Sequence, residues 1–414
     1  MPYVRKEGVL CADDTPLSDI AAQVGTPCYV YSWTDVATRY QELERALSLV
    51  NARIRYAVKA NSNLAILKRM VDLGAGFDIV SGGELERVIR AGADPAEVVF
   101  SGVGKTQQEI SFALKSGIGC MNIESVAETR RIAEIAERLA LRAPVAIRVN
   151  PDISVDTHPY IATGMRENKF GMPENDAFEL AVEIDRHMPS LQFVGLACHI
   201  GSQLTDLRPY ADSLDAVLEL RSRLIEVGVE CAVVDIGGGF GIRYHDEEPF
   251  SFDELGELVS SRSLQDVALE VEPGRSLIGS AGVLLTRVEY LKPATVSGYR
   301  DFCIVDAAMN DFIRPALYEA FHDIEKVESS DGESRDWNIV GPICETGDYL
   351  ATARPLSLQE GDLLAVRDAG AYGFVMSSNY NSRLRPAEVI ADGGSWTVAR
   401  RRESMSDLLD LEQD

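Results

Sequence analysis

Two patterns predict the fold class, α/β plus all-β. Up to about residue 280, β-branched runs alternate eight times with stretches of helical period; beyond it, β-like runs follow one another with turns and no helical period between them. Strands that alternate with helices pair in parallel, because each crossover returns the chain to the same edge. Eight such units in roughly 250 residues match a (β/α)8, TIM-like barrel. A doubly wound open sheet is the alternative; a regular repeat without a long interruption favours the barrel.

The expected strands are "IRYAVK" (54–59), "GFDIVS" (76–81), "VVFSG" (98–102), "GCMNIE" (119–124), "VAIRVN" (145–150), "LQFVGLACHI" (191–200), "CAVVDIG" (231–237) and "VALEVEP" (267–273). Between them, "NLAILKRMVDLG" and "SVAETRRIAEIAERLA" carry apolar residues at three- and four-residue spacing. Gly74, Gly92 and Gly117 stand where helices commonly end. "GVLLTRVEYLKPA", "FCIVDAAM", "WNIVGPIC" and "DLLAVRDAG" predict the second, all-β part, and "VESSDGESRD" (327–336) an exposed loop. Pattern alone does not place the first 30 residues, which include "CYVYS".

The chain carries 40 Lys and Arg against 65 Asp and Glu, a formal net charge of −25. Such a surface repels nucleic acid and anionic membranes, so neither is expected as a partner. The seven cysteines include no C-x-x-C pair, and most lie in apolar segments, as expected of reduced thiols in a cytoplasmic protein. No apolar stretch of about 18 residues suggests a membrane span.

Barrels collect their chemistry at the C-terminal ends of the strands. Here those ends carry Lys59, Asp78, Ser101, Glu124, Asn150, His199, the glycines after Asp235, and Glu272. "DIGGGFG" (235–241) lets backbone N–H groups approach an anion, though glycine runs also make plain tight turns. Glu272 opens "EPGR", where an ion pair with Arg275 is the bland explanation. In a barrel, however, the first and eighth strands are neighbours. Lys59, Glu272 and the glycine loop would then surround one cavity. An anion cradle, a carboxylate and a desolvated amine suit pyridoxal 5′-phosphate. Lys59 would form a Schiff base with its aldehyde, and Glu272 would hold a proton on its pyridine nitrogen. His199 could stack on the ring and Ser202 could donate to the phosphate. Asp78 is either a structural cap or a group orienting His199 or the cofactor.

"YAVKAN", "FDIVSGGEL", "HIGSQ", "DIGGGFG", "EPGR", "GPICETGDYL" and "GAYGFVMSSNYNSRLRPAEV" stand in an order that resembles the fold-type III pyridoxal-phosphate decarboxylases. The resemblance runs from about Cys28 to Glu388 and is nearest to the branch acting on meso-2,6-diaminopimelate. It implies a barrel over 30–280. A β-sandwich-like domain would join residues 1–29 to 281–414, and the enzyme would be a homodimer with shared active sites. It implies that Lys59 is the Schiff-base lysine, His199 the stacking ring and Glu272 the pyridine partner. Ser202, Gly238, Gly239, Gly274 and Arg275 match phosphate-binding or nearby positions, and Tyr372 a tyrosine that contacts cofactor or substrate. Arg275, Arg314 and Tyr318 match the set that holds the substrate's distal carboxylate. Cys344 and Glu345 match a pair contributed across the dimer, the thiol as proton donor and the carboxylate for the distal ammonium. One departure is visible: Thr346 follows Glu345 where the family pattern has Ser. "THPYIATGMRENKFG" (157–171) resembles the family's basic, mobile segment over the site. The implied reaction is decarboxylation of meso-2,6-diaminopimelate to L-lysine and CO2, the last step of lysine biosynthesis. Decarboxylases of ornithine, arginine or a carboxylated polyamine, a racemase on the same barrel and a silent partner-binding homologue are the alternatives.

Overall fold

The computed structural model describes residues 2–153, 169–262, 264, 266–330 and 332–413. The segment singled out at 157–171 therefore lies, up to residue 168, outside the described residues. The chain divides into two compact units, one of Tyr40–Ile242 with Glu248–Ser276 and the other of Met1–Arg39, Arg243–Glu247 and Leu277–Asp414.

The first unit is the expected barrel. Its strands are β1 (Ala52–Ala57), β2 (Gly76–Ile79), β3 (Val98–Phe100), β4 (Cys120–Ile123), β5 (Ala143–Arg148), β6 (Leu191–Ala197), β7 (Val233–Asp235) and β8 (Ala268–Val271). All neighbours run parallel, and the ring closes where β8 pairs with β1 through Leu269↔Ala52, Glu270↔Arg53 and Val271↔Ile54. The open-sheet alternative is excluded by that last pairing.

Local sequence explains the helices between the strands. Ser81, Thr106, Ser125 and Ser251 cap four of them, each hydroxyl accepting from a backbone N–H three residues on. Gly117 (φ 79°) closes Gln107–Ser116 in the left-handed region, which glycine enters without steric penalty.

The strands stop short of the apolar runs that predict them. Lys59 lies beyond β1 in a single 3-10 turn, Val58–Ala60. His199 sits two residues past β6, and Glu272 directly follows β8. The runs stay apolar because their residues remain buried, while the ladder ends where the backbone turns over the barrel mouth.

Near the starts of β2 and β3 the barrel carries a buried ion pair. Arg55 donates from Nη2 to Glu270 at 2.7 Å, both side chains 6% exposed or less, and from Nη1 to the Glu97 carbonyl at 2.7 Å. Barrel interiors are more often filled by branched aliphatic layers.

The second unit is built on the eleven-residue strand Gly282–Lys292, which pairs antiparallel with Cys28–Ser32, Asp301–Val305 and Leu363–Val366. "CYVYS" is thus a strand of this sheet, with Ala387–Asp392 parallel on its other side. Tyr3, Leu10, Leu17, Val30, Val283 and Val389 form its core. Departures from the all-β expectation include the helix Leu17–Val24, which buries Leu17, Ile20 and Ala21, and the one-turn helices Arg314–Tyr318 and Met405–Leu409, too short to show a period. The expected 327–336 loop is also shorter, since Val327 is buried and Arg335 opens a strand.

Removing one partner of a buried pair strands the other charge. Arg55→Met is expected to lower the unfolding free energy by roughly 3 kcal/mol, measured by urea denaturation. Unchanged stability would show that the pair is not holding the seam between β8 and β1.

Candidate functional site

Past the C-terminal ends of the strands lies a cavity of about 460 Å³, lined among others by Lys59, Ser101, Arg148, His199, Asp235 and Glu272. The 3-10 turn after β1 presents Lys59, whose side chain is 31% exposed and whose Nζ lies 2.7 Å from Asp78 Oδ2. Asp78, on β2, is fully buried, and its Oδ1 has no hydrogen-bond partner among the described residues. The Asp78 carboxyl anchors the amine at the cavity wall.

His199 Nδ1 accepts from the Gly238 N–H at 3.2 Å, so the ring carries its proton on Nε2. Burial first, then Lys59 and Arg148, pushes the His199 pKa well below the ordinary histidine range, and the ring stays neutral. Glu272 Oε2 is 4.0 Å from it, a contact with a neutral ring and not an ion pair.

Asp235 and Glu272 form a second feature. Asp235 ends β7, Glu272 follows β8, and the two carboxyls are hydrogen-bonded to each other. Asp235 also accepts from the Gly237 N–H at 2.7 Å. Burial, then the charge of Glu270, raises Asp235 to about 7; burial, then Asp235 and Asp78, raises Glu272 well above the carboxylate range. Two such carboxyls share a proton rather than both ionise. Glu272 Oε1 is buried with no hydrogen-bond partner among the described residues, so it is poised to pair with an N–H from within the cavity.

The glycine loop has the close approaches expected of a cradle. Gly237 (φ 71°) and Gly239 (φ 88°) are left-handed, and a methyl on Gly238 or Gly239 would collide with the carbonyl of Glu272 or Gly201. Tyr210 supports the loop by donating to the Gly238 carbonyl at 2.8 Å. No helix follows directly, so positive potential there comes from loop amides and from Arg275, whose Nη2 donates to Ser202 Oγ at 3.1 Å. Gly274 packs 3.0–3.1 Å, measured from a Cβ placed on it, from the Ala57 and Ala60 methyls beside Lys59.

The barrel unit thus brings together Lys59, Asp78, His199, Ser202, Gly238, Gly239, Glu272, Gly274 and Arg275. The remaining candidates belong to the second unit. Arg314 opens the helix Arg314–Tyr318, with its guanidinium carbon 5.1 Å from the Tyr244 ring centre and 5.8 Å from that of Tyr318. Cys344 and Glu345 sit on an exposed turn shaped by Asp348, which accepts from the N–H groups of Met309 (2.7 Å) and Ile343 (2.8 Å). The Cys344 N–H donates to Asn381 Oδ1 at 3.1 Å, and the Tyr380 hydroxyl donates to Glu345. Of the seven free cysteines only Cys344 is exposed. Tyr372 is held at φ 56°, a strained conformation for a non-glycine residue that often marks a functional position.

Sequence reasoning missed Asp235 and Arg148. Asp235 lies in "DIGGGFG", a motif whose glycines dominate its sequence signal. Arg148 shares a strand face with Asn150 by the period of two, which was a usable signal. Its Nη1 lies 3.2 Å from Glu124 Oε1.

The donor set fits pyridoxal phosphate: an amine at the wall, an acceptor for one ring N–H, a flat neutral imidazole and a glycine cradle beside an arginine. Comparison with known proteins points the same way. Residues 33–279 match the pyridoxal-binding domain of the pyridoxal-dependent decarboxylases. The chain is 51% identical to the diaminopimelate decarboxylase of Pseudomonas aeruginosa, over 98% of this chain and 97% of that one. It is 47% identical to that of Vibrio cholerae, covering 99% and 97%. Among solved structures it resembles diaminopimelate decarboxylase from Helicobacter pylori complexed with L-lysine (TM-score 0.91, 38% identity, 95% and 98% covered). It also resembles the enzyme from M. jannaschi (TM-score 0.94, 34% identity, 100% and 98% covered).

The carboxyl pair gives a pH signature. Folded Asp235 keeps its proton up to about 7, whereas the unfolded chain releases it near 3.8. Its contribution to stability is therefore full below that lower value and is lost as pH rises through about 7. Asp235→Asn stays neutral and still accepts from Gly237. Its melting temperature in the cofactor-free protein, relative to the parent, should climb by several degrees between pH 4 and pH 8, at roughly 2–4 °C per kcal/mol. A difference independent of pH would contradict the raised Asp235 pKa.

Proposed function

The chain belongs to the pyridoxal-dependent decarboxylases, in the diaminopimelate decarboxylase family, and on that premise we propose that it converts meso-2,6-diaminopimelate to L-lysine and CO2. The observation that carries the assignment is the presence, in the lining of one cavity, of the Lys59 amine and of the Glu272 carboxyl, one oxygen of which has no hydrogen-bond partner among the described residues.

When bound, pyridoxal phosphate supplies an electron sink for the charge left as a bond to the amino acid's α-carbon breaks. The chain's own groups hold and direct that chemistry. Lys59 is the amine for the cofactor's aldehyde, and Asp78 orients it. Glu272 accepts the pyridine N–H, with Asp235 fixing the proton count of the pair. His199 would offer its neutral ring as a packing surface for the cofactor. Ser202, Gly238, Gly239, Gly274 and Arg275 surround the phosphate, although the Gly238 N–H is itself engaged by His199. Tyr372 contacts the cofactor or the bound substrate.

Specificity falls to the second unit. Arg314, with Tyr318, takes the carboxylate at the substrate's distal end, for which the planar guanidinium offers two parallel N–H bonds. Such a set complements an amino-acid head and opposes the bare ammonium or guanidinium of ornithine or arginine. Fixing the distal end in this way would determine which carboxylate is presented for cleavage. Glu345 takes the distal ammonium. Cys344 gives its thiol proton to the α-carbon after CO2 departs, so the S–H bond breaks as the C–H bond forms.

The exposed turn carrying Cys344 and Glu345 suits a role in a second copy's site, so the working enzyme is proposed as a homodimer with shared sites. Seven free cysteines, and the lack of any helix long and apolar enough to cross a membrane among the described residues, support a cytoplasmic location.

Lys59→Ala is expected to lose the visible absorption of the bound cofactor and nearly all CO2 release; an active variant would overturn the assignment. Cys344→Ala should keep that absorption and lose turnover by ~10²–10³-fold, as for removal of a general acid. Mixing the two inactive variants should restore about a quarter of wild-type activity, because half the dimers are mixed and each of those holds one complete site. No recovery after subunit exchange would refute shared sites.

A further inference from the structure

Arg314 is followed by a segment that turns back on it. The helix Arg314–Tyr318 ends at Glu319 in the left-handed region (φ 52°), and the chain returns His322 to the guanidinium. His322 is fully buried. Its ring lies edge-on to Phe312 (4.6 Å between centres) and to Tyr244 (5.0 Å), so aromatic walls fix its plane on two sides.

The hydrogen bonds decide the tautomer. His322 Nδ1 is 2.8 Å from the Arg367 carbonyl oxygen. A carbonyl can only accept, so Nδ1 carries the hydrogen. Nε2 then presents its lone pair, and it lies 3.3 Å from Arg314 Nε, whose N–H can only donate. Both contacts are satisfied by one neutral tautomer and by no other state. The support beneath is anchored too: Arg367 donates from Nε to Glu325 at 2.6 Å and from its backbone N–H to the Asp323 carbonyl at 2.8 Å. Arg354 Nη2 donates to the His322 carbonyl at 3.1 Å.

We infer that His322 is a positioning residue for substrate recognition: it accepts from Arg314 Nε and so sets the plane in which the guanidinium meets the distal carboxylate. The guanidinium is rigid and planar, so one bond at Nε, with the Tyr244 ring against its face, orients the edge formed by the two Nη groups. A carboxylate meets that edge with two parallel bonds only when the planes agree. The inference rests on the assignment of Arg314 to the distal carboxylate, which is also the carboxylate that L-lysine retains.

The test uses the holoenzyme and two probes, L-lysine and 1,5-diaminopentane, the same diamine without the carboxylate. His322→Asn keeps a donor for the Arg367 carbonyl but cannot reach Arg314; His322→Gln reaches Arg314 with an acceptor. His322→Asn should weaken L-lysine binding and raise KM for meso-2,6-diaminopimelate by about tenfold, with kcat changed less than about twofold and diaminopentane binding unchanged. His322→Gln should stay within about threefold of the parent on every measure. If His322→Asn misfolds, His322→Phe, which keeps the ring, carries the same expectation. Equal weakening of both probes, or no weakening of L-lysine, would overturn the inference. Arg314→Met is run in parallel. If it leaves L-lysine affinity unchanged, the Arg314 assignment itself fails; if it weakens L-lysine while the His322 variants do not, only the positioning role fails.

Discussion

Closure of the barrel between β8 and β1 is the constraint on which the site depends. Leu269↔Ala52, Glu270↔Arg53 and Val271↔Ile54 fix the register of that seam. Lys59 leaves one side of it and Glu272 the other, so a shift of one residue in register would turn one of them out of the cavity. The same seam holds the Arg55–Glu270 pair within the strands, Glu270 standing two residues before Glu272. Glu270 and Glu272, two residues apart, face the same side of the chain by strand period. The column is therefore charged at both levels, one neutralised by Arg55 and the other sharing a proton with Asp235.

This arrangement makes the mouth electrostatically unusual. Asp78, Asp235 and Glu272 crowd Lys59 and Arg148 around one cavity, the three carboxyls themselves buried. The outcome is separation of roles by environment: Asp78 pairs with the amine, while Asp235 and Glu272 retain a proton between them. An N–H from a bound ring relieves the second pair without requiring a new protein charge. His199 stays neutral because its Nδ1 is occupied by the Gly238 N–H and its surroundings disfavour a further cation. A neutral flat ring beside the cavity can pack on a cofactor without competing for its proton.

Much of this was legible from residue order. Alternating runs gave the barrel, and the polar residues that end them gave Lys59, His199 and Glu272. The exact limits of the strands were not legible, because an apolar run records burial and the ladder records hydrogen bonds; the two part company where the chain bends over the mouth. The one-turn helix at Arg314 was hidden for want of a period, and the placing of "CYVYS" needs a pairing with Gly282–Lys292 some 250 residues away, which local pattern cannot supply. Asp235 was overlooked because glycines dominate its motif. His322 was invisible because its importance lies in which atom it faces, a matter of tertiary geometry.

The central claim is that Lys59 is the amine that meets the cofactor in the barrel mouth. Reduction of the cofactor-loaded enzyme with borohydride, followed by digestion and mass spectrometry, tests it directly. The account requires the pyridoxyl group on the peptide containing Lys59. Its appearance instead on the peptide of Lys105, a buried lysine held by the Gly102 and Asn122 carbonyls, or on no lysine, would contradict it.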